Sequence, residues 1–71
     1  MNELDQVRLK ITVRVEKMIH GVEVEIKAGW EGTIVADADT STPMLEFTEY
    51  SAKPFLVKLD AANLEVVWES R

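Results

Sequence analysis

Two glycines three residues apart, Gly29 and Gly32, open directly into a β-branched run, Thr33-Ile34-Val35. Glycine tolerates positive φ and lets another part of the chain come close to its backbone. A Gly-x-x-Gly pair feeding a strand predicts a sharp corner at which a small sheet folds over on itself. Seventy-one residues leave room for a single domain, 1–71, with its core between residues 7 and 68. A chain this short buries a smaller share of its surface than a large one, so it needs a well-made interior. With no cysteine and one histidine, disulfides, zinc ribbons and thiol chemistry are all removed. A packed apolar core must serve instead, and 46% hydrophobic residues suffice for one.

Around that corner the chain reads as short strands. Val7, Leu9, Ile11, Val13 and Val15 alternate with Arg8, Lys10, Thr12, Arg14 and Glu16. Period two puts successive side chains on opposite faces of a pleat, which predicts one half-buried strand across the whole run. Val22, Val24 and Ile26 repeat the pattern after His20-Gly21, and further strands are expected over 32–38, 44–50 and 55–59. Asp37 to Pro43 and Ser51 to Pro54 have turn composition. Asp60 is placed to cap a single turn of helix over Ala61-Ala62-Asn63. Leu64 to Trp68 completes the set. Short strands of this kind bury their apolar faces by closing into a barrel or pairing as two sheets. The economical solution here is an all-β, partly open barrel.

The order strand, long hairpin-like loop, Gly-x-x-Gly-x-hydrophobic corner, two hairpins, single turn and closing strand resembles an SH3-like barrel. Residues Val7 to Val67 carry the likeness, with Met18 to Ala28 in the place of the long first loop. Among such barrels the chain is most similar to small accessory proteins. These are the variable chain of ferredoxin–thioredoxin reductase, the small stromal subunit of photosystem I and the barrel of the nitrile hydratase β-chain. The resemblance implies five strands, a long first loop, a 3-10 or α turn before the last strand, and a non-catalytic role docked on a larger partner. It carries no binding motif of any one family. Signalling SH3 domains place tyrosines in the first loop to grip proline-rich peptides, whereas this chain has Met18-Ile19-His20-Gly21-Val22-Glu23. Barrels of the KOW type share the glycine corner but are basic.

Charge narrows the partners. The net charge is −5, and nucleic-acid binding gains most of its affinity from Lys and Arg on phosphates. DNA, RNA and anionic membranes are therefore not the expected partners. No basic leader followed by an apolar run of roughly 7–15 residues opens the chain, and no span of about 20 apolar residues occurs. The expectation is a soluble, cytoplasmic protein.

Several residues invite a functional reading. His20 with Glu23 and Glu25 has the composition of a metal or acid–base cluster, but alternating glutamates on a hairpin read better as solvated surface. Asp37 and Asp39 lack the ligand spacing of a calcium loop and read as turn formers. Arg8, Lys10 and Arg14 would share one face of the first strand. They offer either a nucleic-acid surface or cross-strand pairs with glutamates, each worth about 0.2–1 kcal/mol. Trp30, between the corner glycines, is either an exposed binding anchor or a cover for the open end of the barrel. Phe55 reads as core. Trp68 either plugs the bottom of the barrel or sits in an oligomer contact. No phosphate loop and no catalytic triad is present, so neither an enzyme nor a cofactor is expected. The sequence points to an interaction module that binds a protein partner or itself, with Trp30, Glu31, His20, Glu23 and Tyr50 as the binding set. Gly29 and Gly32 are expected to form the structural turn. The alternative is a nucleic-acid-binding barrel that uses the Arg8/Lys10/Arg14 face.

Overall fold

The computed structural model describes residues 1–19 and 21–70. Seven strands occur among them: β1 (Gln6–Leu9), β2 (Val13–Glu16), β3 (Glu23–Ile26), β4 (Glu31–Ala36), β5 (Met44–Phe47), β6 (Phe55–Lys58) and β7 (Leu64–Trp68). They make two antiparallel sheets, a five-stranded one in the order β6-β5-β4-β1-β7 and the β2–β3 hairpin. The fold is all-β, as expected. The described residues contain no helix long and apolar enough to cross a membrane.

Two expectations need correction. The alternating run from Val7 to Val15 is not one strand, because it breaks at Lys10-Ile11-Thr12 and its halves join different sheets. A straight strand of that length would run about 30 Å, nearly the longest dimension of a molecule measuring 31 × 22 × 21 Å. Bending instead lets Val7 and Leu9 enter the core from one side while Val13 and Val15 pack on it from another. The bend is held by hydrogen bonds to two separate segments, residues 28–29 and residue 63. Gly29 N–H donates to Leu9 O at 2.8 Å, Lys10 N–H donates to Asn63 O at 2.8 Å, and Ala28 N–H donates to Thr12 Oγ1 at 3.1 Å. Ile11, at the apex, is half exposed.

The second correction concerns closure. The expected five-stranded, partly open barrel is not borne out: seven strands lie in two open sheets, and β6 and β7 are the edges of the larger one. The expected hairpin-like loop contains β3, paired along β2 from Val13↔Ile26 to Glu16↔Glu23, as the alternation of Val22, Val24 and Ile26 suggests. This hairpin folds across the sheet, and Met18 N–H donates to Leu56 O at 2.9 Å on the outer rim of β6.

Inward-facing residues fill the space between. Val7 and Leu9 of β1, Ile34 of β4, Leu45 and Phe47 of β5, and Phe55 and Val57 of β6 meet Ile26 of β3, with Leu59 and Leu64 at the end. The turn before β7 is a 3-10 turn over Ala61–Asn63, where Asp60 Oδ1 accepts from Ala62 N–H at 2.9 Å. That is the cap expected from the sequence. The chain ends are joined through Asp5, a buried carboxylate. Its Oδ2 accepts from Asn2 N–H at 2.9 Å, and its Oδ1 accepts from Ser70 N–H at 2.7 Å and from the Ser70 hydroxyl at 3.2 Å.

Candidate interaction surface

The glycine corner builds an aromatic cluster. Gly29 adopts φ +94°, a conformation that side chains disfavour, with open space around it. Gly32 serves a different need, since a Cβ there would lie 3.0 Å from both the Glu46 carbonyl oxygen and Cε1 of Phe47. Trp30, between them, lies half-buried against the core and stacks on Tyr50, with ring centroids 4.1 Å apart and planes 4° from parallel. Tyr50 Oη accepts from Glu31 N–H at 2.9 Å, fixing the corner to the β5–β6 loop. Phe47 bridges Trp30 and Phe55, and Lys17 Nζ sits 4.8 Å above the Phe55 ring. Trp30, Glu31 and Tyr50 are thus brought together, with Trp30 packed against the core. Glu23 lies elsewhere, on β3, bound to Arg14, and His20 falls outside the described residues. Asp37 forms a turn, accepting at its carbonyl from Thr40 N–H and Oγ1, and its carboxylate is 3.8 Å from Lys58 Nζ.

The basic stripe does not exist as one face. Because β1 and β2 belong to different sheets, Arg8 and Arg14 are separated, and each meets glutamates across a strand boundary. Arg14 donates to Glu23 at 2.8 Å. Arg8 is bracketed, with Nη2 on Glu31 Oε2 of β4 at 3.0 Å and Nη1 on Glu65 Oε1 of β7 at 3.3 Å. These bonds, that from Glu31 first, hold the guanidinium pKa above its ordinary value. Exposed pairs of this type add little stability. Their geometric effect is to hold the Arg8 guanidinium between Glu31 of β4 and Glu65 of β7.

The outer face of the larger sheet carries the feature that alternation misplaces. Counting by twos from buried Leu64 puts Val66 and Trp68 on the inner face. The pairing of β1 with β7 runs Leu9↔Leu64, Arg8↔Glu65, Val7↔Val66, and then shifts, so that Gln6 opposes Trp68 and Val67 is left over. This one-residue β-bulge re-aims the side chain that follows it. Trp68 consequently shares the outer face with Gln6, Arg8 and Glu65 and is 57% exposed. The sequence did hold a signal, three consecutive apolar residues where a regular half-buried strand tolerates alternate ones.

Gln6, Arg8, Glu31, Val67 and Trp68 line a shallow groove of about 480 Å³. Asp5 and Ser70, bonded to one another, lie just beyond the Gln6↔Trp68 pair and fasten the end of β7. Hydrogen bonds from Asn2 and then Ser70 lower the Asp5 pKa, so this fastening is ionised at neutral pH. Among the described residues no group of three or more His, Cys, Asp or Glu converges as a metal site. No protein family, no curated protein and no solved structure matches the chain.

Proposed function

We propose that this chain is a non-enzymatic SH3-like module that docks onto a protein partner through the outer face of β1, β4 and β7. The SH3-like reading is supported by the strand order β6-β5-β4-β1-β7, by the hairpin inserted between β1 and β4, and by the 3-10 turn that precedes β7. The observation that carries the docking surface is Trp68. Four of the five aromatic residues stack together at the core. The fifth is turned outward by a bulge, beside a fixed ion pair. Exposed tryptophans next to ordered polar groups are characteristic anchors of protein interfaces. The nucleic-acid alternative has no comparable support, because Arg8 and Arg14 are each already held by glutamate.

The test is a comparison of baits. Wild-type protein and Trp68→Leu, both verified as folded by circular dichroism, are crosslinked in host extract and the captured proteins identified. A partner enriched by wild type and lost with Trp68→Leu is the expected result. Equal capture by the two baits excludes this face.

A further inference from the structure

We infer that the groove beside Trp68 receives an arginine side chain presented by the protein partner, with the guanidinium laid on the indole and its edge on Glu31. This rests on the docking reading above and names the chemistry it takes. The groove offers the two surfaces a guanidinium requires, an open aromatic face and a carboxylate edge. Trp68 is not among the stacked rings, and among the described residues no cation lies over it. Indole is the strongest of the side-chain cation–π acceptors. Glu31 uses Oε2 for Arg8, and its Oε1 makes no hydrogen bond among the described residues. The Tyr50 hydroxyl bond to its backbone holds the Glu31 position in place.

Charge selects the sign of the occupant. Arg8, the one cation among the described residues that line the groove, is neutralised by Glu31 and Glu65. Among the described residues of this face, one positive group stands against two negative ones, on a molecule whose net charge is −5. A second copy of this chain would bring the same excess of carboxylates and be repelled. Arginine is favoured over lysine because its planar group both stacks on a ring and meets a carboxylate side by side.

The probe is the peptide acetyl-Gly-Arg-Gly-amide, titrated in 150 mM NaCl and followed by amide and indole shifts in nitrogen–proton correlation spectra. Matched peptides carry lysine or citrulline, the latter keeping the shape and removing the charge. Shifts centred on Trp68, Glu31 and Gln6 are expected, with citrulline at least tenfold weaker than arginine and lysine between them. Trp68→Leu and Glu31→Gln should each weaken arginine binding about tenfold, whereas Glu25→Gln, which removes the same charge from β3, should change it less than twofold. Equal binding of citrulline, or equal weakening by Glu25→Gln, overturns the proposal. So does absence of saturable shifts at Trp68. If the bait comparison still depends on Trp68 in that event, the arginine is wrong and the docking face stands. If it does not, both fall.

Discussion

Gly29 and Gly32 are alike in sequence and different in cause, and substitution separates them. At Gly29 the constraint is backbone conformation, so alanine should cost about 1–2 kcal/mol, and asparagine, which visits left-handed backbone more readily, should cost less than alanine. At Gly32 φ is unexceptional and the constraint is space, 3.0 Å to the backbone oxygen of Glu46 and to the Phe47 ring. Alanine there should cost about 1–3 kcal/mol through overpacking, and the larger asparagine should cost more than alanine. Urea denaturation of the four variants gives the two orderings. The same order at both positions would mean that one cause acts at both. At this scale the sequence was informative, since the spacing of the pair announced a corner. It was silent on which glycine is needed for torsion and which for room, because that depends on the Phe47 ring arriving from β5.

Elements were legible where a local pattern decided them and obscure where distant packing did. The strands over Glu23–Ile26, Glu31–Ala36, Met44–Phe47, Phe55–Lys58 and Leu64–Trp68, and the Asp60 cap, follow from alternation and turn chemistry within a few residues. The break inside Val7–Val15 does not, because period two runs through the bend unchanged. What divides the run is the competition of two sheets for its halves, settled by partners at residues 28, 29 and 63. The candidate surface was half legible for the same reason. Glu31 belongs to the corner that the sequence marks, while Trp68 becomes part of the site through a register shift against β1. The bend makes a prediction that a continuous strand would not. In a nine-residue strand Leu9 and Ile11 are equivalent core positions, whereas here Leu9 is buried and Ile11 is 50% exposed. Leu9→Ala should therefore cost about 2–5 kcal/mol, and Ile11→Thr should stay within about 0.5 kcal/mol of wild type, both by chemical denaturation. Comparable losses would restore the single strand.

At the scale of the molecule, both edges of the larger sheet are finished differently, and the contrast explains why the acid sensitivity of this protein should converge on one residue. Pro54 precedes β6, Lys58 ends it, and its outer rim is met by Met18 N–H, so that edge is guarded by composition and by the hairpin. Among the described residues the β7 edge has no such cover, and it is anchored at its end by Asp5 gripping Ser70, a contact 65 residues apart in the chain. Asp5 is 1% exposed, and its pKa is lowered from 3.8 chiefly by the Asn2 and Ser70 backbone donors. A carboxylate whose folded pKa is depressed contributes stability that is present above its unfolded pKa and disappears as pH falls through the folded value. Wild type should therefore keep the full contribution at neutral pH and lose it below about 3.8, the unfolded reference. Asp5→Asn keeps the size of the side chain but removes the charge that the two donors address. It should melt at a lower temperature than wild type at pH 7, and the gap should narrow steadily as both are taken below pH 4. Hydrogen exchange should show the loss first at Val67 to Ser70, since the end of β7 is what the carboxylate holds. A gap in melting temperature that persists unchanged into acid would show that Asp5 acts by packing rather than by its charge.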